Sequence, residues 1–337
     1  MKLRTLIKQM LPTVIVNKMR IFKDRYYLIR AYIYDYRRYF NYSRSYNEKT
    51  AIKYIGEIIT LYHVIEKGLT MPNPRLGFGQ EKVIKLCNLC IDYIKSYSID
   101  SFQLKHAICV INEYEYFHNK KNYKFNNNLL SIIQKLKDIS KICNKSNQKS
   151  ITLSDYFKNS KSPFDLFSES RKSVRNFNIT KTIDWDILYN ALKLAQNSPS
   201  ACNRQSWGTY IISDKNKLNQ ILELQGGNRG FGNLGDKLII IVGEIGLFSN
   251  ISERNQVFID GGIYTMNLLY ALHFYEIAAC TLNCSFSPDK DIILRKICQI
   301  KESEVFIAMI LCGVPPESFS ITLSPRNPVE LSIKKLD

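Results

Sequence analysis

The spacing of apolar residues changes once along this chain, and that change limits the fold more than any other feature. From about residue 50 to 143, Ile58, Leu61, Ile65 and Leu69 recur at steps of three and four, as do Leu129, Ile133, Leu136, Ile139 and Cys143. Steps of that size put side chains on one face of an α-helix, and strand-like alternation is absent here. The polar run Asn144 to Ser150 breaks the pattern and reads as a linker. With 337 residues the chain exceeds the usual size for one core. A helical, basic N-terminal domain over 1–150 and a second domain over 151–337 are therefore expected.

Past the linker, helical and strand patterns alternate. Asp184 to Gln196 has Trp185, Leu188, Leu192 and Ala195 on one helical face, and Gly208 to Ile212 follows as a strand. Lys237 to Gly243 is a short continuous apolar run, expected as a buried central strand. Gln256 to Phe274 is apolar on nearly every side, as a helix buried in a core or against a second subunit would be. Ser287 and Pro288 occupy N-cap and first-turn positions for a helix reaching about Ile297. Val305 to Gly313 is the last strong strand. No strict βαβ rhythm appears, so the fold class is α+β.

Charge and cysteine content narrow the setting. The formal net charge is +17, and residues 1–45 hold eleven Lys or Arg against only Asp24 and Asp35. Nine aromatics are interleaved with basic residues between Tyr26 and Tyr46. The plain expectation is a solvated basic helix whose tyrosines pack on the rest of its domain. An anionic membrane surface or an acidic partner fits the same texture, whereas nucleic acid is not the expected partner. The nine cysteines are odd in number and scattered, unlike a secreted disulfide framework, so reduced thiols in a cytoplasm are expected. The N-terminal run lacks a small-residue cleavage site, and no uncharged apolar stretch reaches the ~20 residues needed to span a bilayer. A cytoplasmic protein, at most peripheral to a membrane, is expected.

Two segments carry chemistry. Arg171, Lys172, Ser173 and Arg175, ahead of Phe177, crowd three cations into five positions. Such a cluster repels itself unless an anion is present, and guanidinium binds phosphate bidentately. Pro199, Ser200, Ala201, Asn203, Gln205 and Trp207 form a small, polar loop between a helix and a strand, able to present backbone N–H groups and amides to a ligand. Elsewhere, Cys87 and Cys90 lack a second pair at metal spacing, and no Walker loop, Rossmann fingerprint or nucleophile elbow occurs. The turn-rich cluster from His63 to Gly79 is expected to end a helix, with Arg75 and its loop offered as a cap on a ligand pocket.

Together the two segments resemble the nitroreductase family, whose flavin domain begins Arg-x-Ser-x-Arg/Lys-x-Phe and continues with a Pro-Ser-x-x-Asn-x-Gln-x-Trp loop. The resemblance extends over about residues 165–337 through the Asp260-Gly261-Gly262 helix, a strand at Ala278 to Thr281, Cys312 to Pro315 and Pro325 to Pro328. It implies a mixed, mainly antiparallel sheet flanked by helices, here preceded by an all-α region, and a homodimer with FMN at the subunit interface. Arg171 would bind the FMN phosphate, with Ser173 beside it. Lys172 and Arg175 would face phosphate or pyrimidine edge, and Arg326 would be a second phosphate cation. Pro199, Ser200, Ala201 and Asn203 would reach the flavin from the partner, supported by Gln205. Asn228 would touch the isoalloxazine edge, and Leu282 and Asn283, just past a strand, would aim backbone N–H at N5. The implied activity passes hydride from NADH or NADPH through flavin N5 to a small-molecule acceptor of nitro, quinone or enone type. The alternatives are a flavin-binding sensor or partner protein without turnover, and a basic nucleic-acid or membrane-surface module in which the flavin fold is vestigial. This chain has Asn283-Cys284 where many members have an acidic residue and glycine; Cys284 is expected to be turn filler rather than a redox thiol. No histidine among His63, His106, His118 and His273 falls in a matching motif, so protons would come from water.

Overall fold

A computed structural model describes residues 12–42, 50–248 and 251–336. The basic and aromatic residues expected to matter at Lys2, Arg4, Lys8, Arg44 and Tyr46 lie outside the described residues.

The helical half consists of α1 (Thr13–Tyr42), α2 (Ala51–Leu69), α3 (Gln80–Ser96), α4 (Phe102–Lys120) and α5 (Asn127–Ser140). Each of α2, α4 and α5 begins where a side-chain oxygen of Thr50, Ser101 or Asn126 accepts an otherwise unpaired N–H of the first turn. Helices α2 to α5 enclose a core of their own, with Ile58, Ile65, Leu86, Cys90, Leu104, Ile108, Leu129 and Ile133 buried against one another. Helix α1 is different. Val14, Met19, Phe22 and Ile29 along it are exposed, and so are Tyr26, Tyr27, Tyr32 and Tyr36, so for these described tyrosines the expectation of packing on the domain is overturned. Its main neighbour among the described residues is the short turn at Ile251–Glu253.

The second half begins with β1 (Lys149–Thr152), which takes up the end of the expected linker, and continues with α6 (Leu153–Phe157), α7 (Phe164–Ser170), α8 (Trp185–Ala195), β2 (Trp207–Ile212), α9 (Lys215–Gln225), β3 (Lys237–Glu244), α10 (Gln256–Phe274), β4 (Ala278–Asn283), α11 (Pro288–Cys298), β5 (Glu304–Gly313) and β6 (Ser318–Ile321). Four strands form an antiparallel sheet in the order β2-β3-β5-β4, and β1 pairs antiparallel with β6. The register sets Ile240 opposite both Tyr210 and Met309, and Lys149 opposite Ile321.

Central strand β3 is apolar throughout because both of its faces are covered. Ile239 and Ile241 meet Leu188 and Ala191 of α8 and Tyr264 and Leu268 of α10. Leu238, Ile240 and Val242 meet Leu218 and Leu222 of α9 and Leu294 of α11. The two-residue period of the strand divides five consecutive apolar residues between two helical layers.

Several local expectations need correction. Trp185 is exposed, and Ala191 instead joins Leu188 and Ala195 on the buried face of α8. Ser287 is at the N-cap of α11, but its side chain makes no capping bond. Helix α10 is not covered all round: Phe258, Ile259, Ile263 and Met266 are exposed along it. Strand β4 runs beyond Thr281, since Asn283 still pairs with Ala308; Leu282 and Asn283 thus belong to the strand and not to a turn after it.

Candidate functional site

Between the two halves lies a cavity of about 430 Å³, lined by residues from three places in the sequence. The first wall is the segment after α7. Here the chain runs extended beside β4: the Val174 N–H donates to the Ala279 carbonyl at 3.0 Å, the Tyr156 hydroxyl donates to the Lys172 carbonyl at 2.7 Å, and the Asn178 N–H donates to the Val314 carbonyl at 2.8 Å. Val174 and Phe177 are buried as anchors, while Arg171, Lys172, Ser173 and Arg175 line the cavity. Thr281 of β4 lines it as well.

The second wall follows β6, where Thr322, Leu323, Ser324, Pro325 and Arg326 carry the tail past the cations. Arg175 donates to the Thr322 hydroxyl at 3.4 Å, and Arg326 donates to the Ser324 carbonyl at 2.6 Å. The third wall comes from the helical half: Ile59, Tyr62, His63 and Glu66 of α2, with Gln103 of α4.

Four cations thus converge from two ends of the second half, and among the described residues none of them makes an ion pair. Burial lowers the Lys172 ammonium, and Arg326 and Arg171 beside it lower it further. Lys67 of α2 is lowered by burial and then by Arg175. The Nε atoms of Arg171 and Arg175 are buried without a hydrogen-bond partner. Unpaired donors and crowded like charges both cost free energy, and a phosphate dianion at this point would relieve both.

Glu66 is the one carboxylate on the lining, and it is completely buried. Burial alone would raise its pKa. Hydrogen bonds from His106, His63 and the Ser324 backbone outweigh that and hold it near 2. His106 Nε2 lies 3.2 Å and His63 Nδ1 3.7 Å from its oxygens. The expected cap, Arg75, is exposed and does not line the cavity; His63 and Glu66 from the same cluster do.

The remaining expected residues lie away from this cavity. In the loop after α8, the Ala201 N–H donates to both Asp260 oxygens at 3.2 Å, the Gln205 N–H donates to the Ser200 hydroxyl at 2.9 Å, and the Gln205 amide donates to Asn203 at 3.2 Å. Cys202, Asn203 and Gln205 have φ of 52°, 55° and 48°, so this loop, with Pro199 at its start, is held tightly by its own bonds. Trp207 stacks on Tyr264 at 4.9 Å and closes the core behind it. Asn228 is buried and its amide donates to the Leu222 carbonyl at 2.5 Å, closing the end of α9. Leu282 is buried in the sheet core, and the Asn283 carbonyl accepts the Gln225 amide at 3.1 Å.

His273 is buried beside the Ser170 hydroxyl at 2.8 Å, and burial together with Arg171 drops its pKa to about 4, so it is neutral near pH 7. Burial pushes the Cys284 thiol up to about 12, which fits a filler of the turn and not a reactive thiolate. Among the described residues no group of His, Cys, Asp and Glu gathers to hold a metal, and no helix is long and apolar enough to cross a membrane.

Sequence reasoning passed over Tyr62, Glu66 and Gln103 as site residues. One signal was available: Glu66 is eight residues past Ile58 and so falls on the apolar stripe of α2, where a charge is out of place unless it has partners.

Fold and cavity together define an α+β protein, a helix-flanked antiparallel sheet with a cationic cleft suited to a phosphorylated ligand. Residues 169–228 match the model of the nitroreductase family, and a helical extension precedes them. Curated proteins yield no match. Among solved structures the chain is similar to an FMN-dependent nitroreductase from Clostridium difficile R20291, at 20% identity over 51% of this chain and 96% of that one with a TM-score of 0.41. It is also similar to a nitroreductase-like protein from Streptococcus mutans, at 17% identity over 51% and 96% with a TM-score of 0.43. The B. megaterium protein NfrA2 is similar at 14% identity over 51% and 73%, with a TM-score of 0.45.

Proposed function

We propose that this protein is an FMN-dependent oxidoreductase taking electrons from NADH or NADPH. The observation that carries the reading is the convergence of Arg171, Lys172, Arg175 and Arg326 on one cavity with the Arg171 and Arg175 Nε atoms buried and unpaired. The residues fit the group. Arg171, Arg326 and the Ser173 hydroxyl suit the phosphate, and Lys172 and Arg175 suit phosphate or the electron-rich pyrimidine edge of the ring. When bound, FMN supplies the hydride chemistry between nicotinamide and a small acceptor of nitro, quinone or enone type. The chain's own part is to bind, orient and tune. A cation near the ring favours its reduced, anionic form. His273, neutral and turned into the core, supplies no proton, which leaves that task to water.

The same reading includes a homodimer. The Pro199, Ser200, Ala201, Asn203 and Gln205 loop does not line the cavity of its own chain, and α10 exposes Phe258, Ile259, Ile263 and Met266 as an uncovered apolar face. A partner subunit would cover that face and bring the loop to the flavin. Residues 1–150 and 151–337 would act as two folding units in a cytoplasmic protein, with Asn228 at the isoalloxazine edge and backbone N–H of Leu282 and Asn283 toward flavin N5.

Helix α1 favours a second, separate role: peripheral attachment to an anionic bilayer. It exposes Ile15, Phe22, Ile29, Tyr32 and Ile33 together with Arg20, Lys23 and Arg30. Co-sedimentation with phosphatidylserine vesicles that fades as salt rises is expected, and no sedimentation at low salt would remove this role.

Absorption spectroscopy tests the main proposal. Purified or FMN-reconstituted protein should show a flavin spectrum, bleached rapidly on anaerobic mixing with NADH or NADPH. Protein that binds no FMN refutes it. Bound flavin that is not bleached by either nucleotide would replace the enzyme with a flavin-binding sensor.

A further inference from the structure

Glu66 belongs to the helical half, yet the bonds it accepts reach across to the tail of the other half. The Ser324 N–H donates to one of its oxygens at 3.2 Å and the Ser324 hydroxyl to the other at 3.4 Å, while His106 supports the first from behind at 3.2 Å. A carboxylate beside four cations is expected to neutralise one of them. This one pairs with none within 4.0 Å and spends its lone pairs on a turn and on imidazole.

The turn it holds is an unusual one. Ser324 has φ 42°, in the left-handed region that a side-chain-bearing residue enters only when its surroundings compel it. Its carbonyl accepts the Arg326 guanidinium at 2.6 Å. On the far side of Arg326, the Asn327 side-chain oxygen accepts the Gln103 amide at 2.5 Å, and Gln103 in turn accepts the Tyr62 hydroxyl at 2.6 Å. Arg326 is thus bracketed by contacts from the helical half at two points, Ser324 on one side and Asn327 on the other.

We propose that Glu66, seconded by Gln103, is a positioning residue that fixes the Ser324 turn and thereby delivers Arg326 to the cofactor phosphate, so that the helical half is a working part of the cofactor site. This rests on the FMN reading above. Without Glu66, Ser324 relaxes from the left-handed region and Arg326 swings with an otherwise exposed tail. The guanidinium then loses its preorganisation for phosphate while the ring contacts stay as they were. The effect is specific to the phosphate, which separates positioning from general support of the fold.

The test is fluorescence titration of flavin-stripped, full-length protein with FMN and with riboflavin, which lacks the phosphate. Wild type should bind FMN tighter than riboflavin. Glu66→Ala should weaken FMN by roughly tenfold or more and riboflavin by less than about twofold. Because Glu66 acts through Arg326, the double variant Glu66→Ala/Arg326→Ala should bind FMN no more weakly than Arg326→Ala alone. Gln103→Ala, a milder change, should show the same selectivity and serves if Glu66→Ala does not fold. Equal weakening of both flavins, unchanged FMN affinity, or full additivity with Arg326→Ala overturns the proposal while leaving the FMN reading in place. A wild type that binds neither flavin instead removes the FMN reading itself.

Discussion

Replacing Arg175 with methionine should make the flavin-free protein more stable and flavin binding weaker. Arg175 is 8% exposed, its Nε has no partner, and its guanidinium donates to the Thr322 hydroxyl at a long 3.4 Å. Its charge also bears on Lys67, whose ammonium is lowered by burial and then by Arg175. An unsatisfied buried donor costs about 1–3 kcal/mol, and an apolar side chain of similar length at a buried charged position is often neutral or better. Arg175→Met should therefore stabilise the apoprotein by about 1–3 kcal/mol, or roughly 2–12 °C in Tm. The same change removes a charge-assisted contact to the ligand worth about 1.5–3 kcal/mol, or roughly 10- to 150-fold in Kd. Thermal unfolding followed by circular dichroism, with and without saturating FMN, reads both effects. The advantage of the Met variant should shrink by about 1.5–3 kcal/mol on adding saturating FMN, because wild type gains more from ligand binding. An apo Met variant that melts below apo wild type would mean that the guanidinium serves the fold and is not held in readiness for an anion.

Other outcomes follow from the same geometry. Arg171→Ala combined with Arg326→Ala should strip most of the flavin, since two contacts of about 1.5–3 kcal/mol each are lost; unaltered flavin absorbance after purification would contradict this. Acid should destabilise the protein in two steps. His273 has its pKa lowered by burial and Arg171 from 6.5 to about 4, so the unfolded chain takes the proton first and stability falls as pH drops from 6.5 to 4. Glu66, lowered from 4.5 to about 2, contributes stability above 4.5 that is lost as pH falls towards 2. Each step is worth on the order of 3 kcal/mol, and urea midpoints for wild type and His273→Gln that fall in parallel from pH 7 to 4 would exclude the first. Ile259→Glu with Ile263→Glu should convert a dimer to monomers by light scattering and reduce flavin content; an unchanged mass would show that α10 is not the interface.

What could be read from the sequence was local. The crowding of Arg171, Lys172 and Arg175 is legible because like charges so close in sequence remain close in space, and the continuous apolar run of β3 is legible because a strand with both faces covered has no polar side. Arg326 was placed with them only through a family resemblance, since no local rule joins positions so far apart. Contacts across the halves left the faintest trace. The bond from Ser324 to Glu66 spans 258 residues, and only the misplaced charge on the apolar stripe of α2 hinted at it. Faces turned to the outside misled for the opposite reason. Trp185 and the exposed residues of α1 and α10 look like core material, and hydrophobicity alone does not say which surface will cover them.

The pairing of β1 with β6 ties Lys149 to Ile321, and the tail that follows carries Arg326 back to walls built from residues 59 to 175. Arg326 is the last of the lining residues to be translated, so a growing chain carries the Arg171 to Arg175 segment without its second wall until the tail arrives. The cavity is therefore a product of the finished fold, and a phosphorylated ligand would enter it after synthesis and would not guide it.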